Sequence, residues 1–395
     1  MSKHVGPSEF VRFRANTAFD FLQSTCAPES RQFSDGSKQY YTRNRVFRSQ
    51  VLATRAPVTV LDTAARLRAL PAEKWRRDYG RQKVLFILPS DALGDCVGVI
   101  LFLRSFRAAW PLARITVANT GAATDLFTAE PGLQVLPLFI SEKELDAHFP
   151  VIDLGEVDGW DAVSTQPVDV ESVLLERFGL APCPVERPAS TSGIAILPLA
   201  SSPLRTLPPR LVAELAQAMA GKGPVRVVLN AYQAVSAAYD KALRPLIPNA
   251  IDIVGGFQTT SELRAFMARQ AFLITADSGP AHVSKLFATP GVAIYTSASG
   301  KVLQGRHRNL ACWQSPYNGP NCSASCGLAK VRATDDGRID CMGSLGVPLD
   351  ALCHLPPDAQ PALVQRMILD QPVPCVAELD ARRQEIAAMA RTLLP

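Results

Sequence analysis

The chain has 395 residues, 47% of them apolar and 19% charged, and a formal net charge of +5. This supports two or three packed domains and excludes a globally disordered chain. The positive excess is small and scattered, which suits an anionic ligand or an anionic membrane surface and speaks against a nucleic-acid partner.

The first 80 residues carry no α/β repeat and read as an accessory segment. Within it, 12–22 reads as a helix, 27–44 as polar loop, and 61–75 has apolar residues at helical spacing. The opening Met1-Ser-Lys-His-Val-Gly-Pro runs into polar, charged sequence without the apolar core of a signal peptide. The apolar run 96–103 stops at Arg104, well short of the roughly 20 residues of a membrane span. A cytoplasmic protein is expected, with at most peripheral contact at the inner face of the inner membrane. In that compartment the nine cysteines need a reading other than disulfides.

From Lys83 the pattern changes. The apolar run 84–88 reads as a strand covered on both faces, 95–109 as a helix ended by Trp110-Pro111, and 114–118 and 133–138 as further strands. This is a parallel βαβ arrangement. A Pro/Ser/Thr-rich stretch, 182–192, reads as a linker, after which the pattern restarts. Strands are expected at 194–197, 225–229, 251–254, 272–275 and 291–295, and helices at 209–220 and 261–269, the latter with Thr260 or Ser261 as N-cap. One amphipathic helix is expected over 376–394. The predicted domains are 1–80 (accessory), 81–185 and 186–355 (both Rossmann-like) and 356–395 (helical tail).

Three elements carry candidate chemistry. Phe272-Leu-Ile-Thr-Ala-Asp277-Ser278-Gly279-Pro280-Ala281-His282 is a strand, a turn and a helix start with proline in its first turn. Backbone N–H groups and the positive end of a helix dipole suit a phosphate there, although a capped helix with a packed histidine reads equally well. Upstream, Leu88-Pro-Ser-Asp91-Ala-Leu-Gly94-Asp95 is a second strand–turn–helix. Gly94 allows close backbone approach, and Asp95 is either a general base for a hydroxyl or a helix-capping carboxylate. Ser201, Ser202 and Arg205 follow the first strand of the second half and form either a phosphate-holding loop or an ordinary surface loop.

Together, in order and spacing, these elements resemble the family 9 glycosyltransferases, the bacterial heptosyltransferases, over about 83–345. Asp91-Ala-Leu-Gly-Asp95 resembles that family's opening turn. Ser201-Ser202 with Arg205-Thr-Leu207-Pro208, then Asp277-Ser278-Gly279-Pro-Ala-His282, stand where it has a serine turn, a basic residue with Trp-Pro, and Asp-[Ser/Thr]-Gly-x-x-His. The resemblance implies an α/β GT-B fold, two Rossmann-like domains with parallel sheets facing a cleft. It also implies inverting, metal-independent transfer from a nucleotide sugar, ADP-heptose in typical members.

By position, the resemblance makes Asp95 the general base, with Asp91 and Gly94 on the acceptor side. Arg205 stands for the family's phosphate-binding lysine. Ser201, Ser202, Asp277, Ser278, Gly279 and His282 hold the donor. The acceptor is a lipopolysaccharide, another surface glycan or a protein. The sequence departs from the pattern at Arg205, at Leu207 in place of tryptophan, and at Asn230, where the family often has a ribose-binding glutamate. Two rivals are a sugar-nucleotide epimerase on the same architecture and a non-catalytic nucleotide-sugar-binding subunit. No cofactor is needed for the implied transfer. The cluster Cys322, Cys326, Cys341 and Cys353 reads either as structural thiols or as a zinc or iron site, similar to the iron site of protein-modifying heptosyltransferases.

Overall fold

The structure, a computed structural model, describes residues 10–15, 19–22, 30–33, 39–43, 51, 58–65, 67–88, 90, 92–119, 121, 123–157, 169–189, 191–230, 235–319, 323–326, 365–370 and 372–394. The chain divides into two compact units. One comprises 1–161, 170–184 and 258–261, the other 162–169, 185–257 and 262–395.

The first unit opens with strands β1 (Phe10–Ala15), β2 (Phe19–Leu22), β3 (Ser30–Phe33), β4 (Gln39–Arg43) and β5 (Val58–Ala65). The helix expected over 12–22 is therefore strand at 12–15 and 19–22, and 16–18 lie outside the described residues. In β1 the side chains of Val11 and Phe13 are buried while Arg12 and Arg14 turn outward, the period-2 alternation of a half-buried strand. Cross-strand pairing with β4 and β5 decides the outcome. The loop expected over 27–44 likewise holds β3 and β4, with Tyr40 and Tyr41 buried. The helical spacing over 61–75 also fails. Its first part, with Leu61, Ala64 and Ala65, lies in edge strand β5, and a 3-10 turn, Ala72–Lys74, follows.

The α/β part of this unit follows in order. It consists of β6 (Lys83–Ile87), α1 (Leu93–Ala109), β7 (Arg114–Ala118), α2 (Thr124–Thr128), β8 (Leu133–Leu136), β9 (Ile140–Ser141), α3 (Glu142–Asp146), β10 (Val151–Asp153) and α4 (Val170–Phe178). Strand β9 joins the N-terminal antiparallel sheet, ordered β5-β1-β4-β9, and Thr42 donates its hydroxyl to the Leu138 carbonyl at 2.5 Å. The other sheet is wholly parallel and ordered β10-β6-β7-β8. Phe10, Tyr41 and Ile140 pack with Leu85, Ile87 and Val151, so the N-terminal sheet shares this unit's core. An aromatic cluster of Trp75, Tyr79, Phe86, Phe102, Phe106 and Phe178 fills the space between α1, α4 and β6.

The second unit comprises β11 (Ile194–Leu197), α5 (Pro209–Met219), β12 (Val225–Val228), α6 (Ser236–Leu243), β13 (Asp252–Val254), α7 (Thr260–Ala268, whose first two residues belong to the first unit), β14 (Phe272–Ala276), α8 (Gly279–Val283), β15 (Gly291–Tyr295), α9 (Gly300–Gln304) and β16 (Leu310–Gln314). Its six strands are all parallel, in the order β13-β12-β11-β14-β15-β16. Counted along the chain this is 3-2-1-4-5-6, the doubly wound order, with its switch point between β11 and β14. A Cβ at Gly291 would collide with the Leu273 carbonyl, so only glycine lets β15 lie this close to β14.

Thr260 and Ser261 lie inside α7 rather than before it. The Ser261 N–H donates to the Asp125 carboxylate at 2.5 Å and its hydroxyl to the Asp125 carbonyl at 2.9 Å. The single helix expected over 376–394 is two, α10 (Pro374–Ala381) and α11 (Arg383–Leu393), broken at Arg382 with φ −102° and ψ 16°. α11 packs on α5 through buried Ile386, Ala387 and Ala390, adding to one core with Leu211, Leu215 and Met219. Both units are Rossmann-like α/β folds on parallel sheets, the two components of the GT-B class expected from the sequence.

Candidate active site

In the first unit, β6 is adjacent to both β7 and β10, so the loop after β6 leaves the sheet at its switch point. Asp95 sits there in the first turn of α1, partly buried. The Ser90 hydroxyl donates to Asp95 Oδ2 at 2.5 Å. Gly94 is in the same turn, and Asp91 lies outside the described residues. Asn119, at the end of β7 and 1% exposed, donates from Nδ2 to the Ser90 carbonyl at 2.8 Å.

In the second unit the two other motifs follow β11 and β14, the neighbouring strands at the switch point. Open α/β sheets bind ligands beyond the carboxyl ends of such a pair. The β11 loop is tied down before any ligand arrives. The Thr206 hydroxyl donates to the Ser202 carbonyl at 3.2 Å and accepts the Ala200 N–H at 3.2 Å. Thr296 donates its hydroxyl to the Leu204 carbonyl at 2.5 Å. Leu207 is fully buried, and its carbonyl accepts the Tyr239 hydroxyl at 2.6 Å, so the position is part of the core.

Arg205 projects from this braced loop. Its Nη2 donates to the Ser201 hydroxyl at 3.0 Å, and its Nη1 lies 3.6 Å from Asp277 Oδ1. Asp277 is 1% exposed, and among the described residues neither carboxylate oxygen has a hydrogen-bond partner. Burial raises its proton affinity above the ordinary carboxylate value, and the Arg205 charge opposes this without overcoming it. Buried polar atoms are normally hydrogen-bonded, so two unsatisfied oxygens at a sheet's carboxyl edge are an unused acceptor pair.

The residues after Asp277 are arranged less simply than the sequence suggests. Ser278 is the N-cap residue of α8, but its side chain makes no cap bond and turns back toward the Ala276 carbonyl at 3.4 Å. Ser202 is buried, with its hydroxyl accepting the Leu204 N–H at 3.3 Å. α8 has five residues before it tightens into the 3-10 turn Ser284–Leu286, so little macrodipole accumulates. At its start Pro280 has no N–H to offer and the Ala281 N–H donates to the Ser278 carbonyl at 3.0 Å. His282 is partly buried, and burial first, then the charges of Lys285, Arg205 and His307, keep its proton affinity well below the ordinary value.

The sequence reading missed Lys285 and His307. Lys285 is 4% exposed and donates from Nζ to the Leu303 carbonyl at 2.5 Å, while His307 is 8% exposed. A lysine three residues after His282, inside an otherwise apolar segment, was the available signal. Of the cysteine cluster only Cys326 is described, exposed; Cys322, Cys341 and Cys353 lie outside the described residues. Among the described residues no group of His, Cys, Asp and Glu could hold a metal ion. Nor is any described helix long and apolar enough to cross a membrane.

Residues 164–331 match glycosyltransferase family 9 (heptosyltransferase). The chain carries a family 9 glycosyltransferase domain. The matched segment contains Arg205, Asp277, Ser278, Gly279 and His282, whereas Asp95 precedes it. No curated protein matches the chain's sequence. Among solved structures, E. coli heptosyltransferase WaaC with ADP-2-deoxy-2-fluoro heptose is 12% identical, covers 59% of this chain and 93% of its own, and gives a TM-score of 0.45. A family 9 glycosyltransferase from Veillonella parvula is 15% identical, covers 65% and 95%, and gives 0.47. The iron-containing dodecameric glycosyltransferase TibC from enterotoxigenic E. coli is 15% identical, covers 95% and 92%, and gives 0.42.

Proposed function

We propose that this glycosyltransferase moves heptose from ADP-heptose to a hydroxyl of a lipopolysaccharide, another surface glycan or a protein, with inversion at the sugar carbon. The observation that carries this is the Arg205–Asp277 pair at the second unit's switch point, inside the segment that matches the family. Asp277's unsatisfied oxygens accept hydroxyls of the donor sugar. Arg205, Lys285 and the Gly279 N–H meet the diphosphate. Ser201, Ser202 and Ser278 shape this cradle, and neutral His282 contributes a ring nitrogen.

In the transfer, Asp95 takes the proton from the acceptor hydroxyl as that oxygen attacks the anomeric carbon. The bond from that carbon to the diphosphate oxygen breaks, and the leaving group departs with both electrons. The fixed cations and the Gly279 N–H stabilise the charge that develops on it, so no divalent cation is required. Asp91 and Gly94 serve the acceptor side. Placement is cytoplasmic, with peripheral contact at the inner membrane. Should the cysteines beyond 320 hold zinc or iron, that metal is structural.

Calorimetry with ADP-heptose and product analysis with a panel of acceptors test the reading. The wild type should bind donor and transfer heptose in the presence of EDTA. Asp95→Ala should bind donor within about 3-fold of wild type and lose at least about 10²-fold in turnover. Conversion of ADP-heptose into another nucleotide sugar without acceptor would favour the epimerase. Normal turnover by Asp95→Ala would remove the base assignment.

A further inference from the structure

The bonds around Asp95 form a chain that reaches well into the first unit's sheet. The N-terminus of α1 has Ala92 at its N-cap, which supplies no capping side chain. Ser90 fills part of that gap by accepting the Ala92 N–H at 3.1 Å. A hydroxyl has one proton to give. With Ala92 on its lone pair, Ser90 gives that proton to Asp95 Oδ2 at 2.5 Å, a charge-assisted bond when the carboxylate is ionised. The Ser90 backbone is itself held. Asn119 Nδ2 donates to its carbonyl at 2.8 Å, Asn119 Oδ1 accepts the Thr124 hydroxyl at 3.0 Å, and the Asn119 N–H donates to the Leu136 carbonyl at 3.0 Å. Asn119 is thereby engaged through its main chain and both ends of its amide, at a fully buried strand end.

We propose that Asn119 and Ser90 are positioning residues that set the orientation of the Asp95 carboxylate for proton removal. Asn119 fixes the Ser90 backbone, and Ser90 ties one carboxylate oxygen, which sets the rotation of the other. The inference rests on Asp95 being the base. A bond that served only to cap α1 would affect stability without singling out the chemical step. A positioning bond matters because a displacement of about 1 Å in a reacting group can cost about 10²-fold in rate.

The test uses the full-length protein and reads ADP release from ADP-heptose in water, which needs no choice of acceptor. Donor Kd and melting temperature are measured in parallel. Ser90→Ala should lower the rate about 10- to 100-fold with donor Kd within about 3-fold of wild type. Ser90→Thr, which keeps the hydroxyl, should recover most of it. In an Asp95→Asn background Ser90→Ala should cost nothing further, because its effect runs through Asp95. Asn119→Ala should act in the same direction. Since Asn119 is buried and its replacement also costs stability, Ser90, on the partly exposed loop, decides the matter.

Full activity in Ser90→Ala, while Asp95→Asn is impaired, overturns the positioning role and leaves the base assignment standing. An undiminished Ser90 effect in the Asp95→Asn background also overturns it, because Ser90 then acts on its own. Normal turnover in Asp95→Asn, or donor binding with no ADP release by the wild type, defeats the base assignment and this inference with it.

Discussion

Two loops in this protein occupy the same place in two sheets, and each presents a carboxylate. After β6, Asp95 lies partly exposed at the start of the 17-residue helix α1 and accepts a neutral hydroxyl. After β14, Asp277 is buried before the five-residue helix α8, faces a guanidinium at 3.6 Å and leaves both oxygens unsatisfied. A carboxylate near water and tied by a hydroxyl can take up and release a proton with little rearrangement. One sealed beside an arginine is set to accept hydrogen bonds rather than to exchange protons with solvent. Topology thus supplies the position, while burial and the neighbouring cation decide what the acid is used for.

The largest expected effect tests the sealed half of this contrast. Arg205→Met should destabilise the second unit by about 3 kcal/mol, because it leaves a buried carboxylate uncompensated. Adding Asp277→Asn should restore most of the loss in chemical denaturation while donor binding stays absent. Recovery of binding in the double variant would show that the pair is structural only.

A smaller effect concerns pH. Burial and nearby cations keep His282 neutral in the folded chain at pH values where the unfolded chain, with its ordinary value of 6.5, takes a proton. Below pH 6.5 the unfolded state binds more protons, so stability falls as pH falls. His282→Gln removes this dependence. Between pH 6.5 and 5 the variant should lose less stability than wild type, by at most about 1.4 kcal/mol per pH unit. Asp277 has the opposite sign, since its raised value favours the folded state's proton uptake above 3.8, but both proteins share it and it drops out of the difference. Parallel stability curves would place His282 outside the buried basic group.

Ser278→Ala should be the smallest change, altering donor Kd by less than about 3-fold, because the hydroxyl faces the Ala276 carbonyl rather than the cradle. A loss of 10-fold or more in calorimetry would mean that the side chain turns toward the donor on binding.

Five strands of the two parallel sheets were legible because they are largely buried on both faces and read as apolar runs, 84–88, 194–197, 225–229, 272–275 and 291–295, whereas β10 and β16 were not expected. Proline in the first turn of α8 and the order of the three motifs were legible in the same way. The N-terminal sheet was not. Its strands are half-exposed, and edge strand β5 carries apolar residues at a spacing that also suits a helix, so only pairing resolves them. Lys285 was hidden for a related reason, since lysine in an apolar segment gains meaning only when the carbonyl it meets, at Leu303, comes from another part of the chain.

By itself the amino-acid order determined the two α/β repeats and the places where Asp95, Arg205 and Asp277 follow a strand, because periodicity and helix-start chemistry are local. Strand order, which puts β11 beside β14 and so Arg205 against Asp277, was decided only in the tertiary structure. So was the chain of bonds from Thr124 through Asn119 and Ser90 to Asp95. The first pair, and the Asn119–Ser90 bond in the second chain, join residues far apart in sequence, and no local preference encodes which strand lies next to which or which buried amide meets which carbonyl.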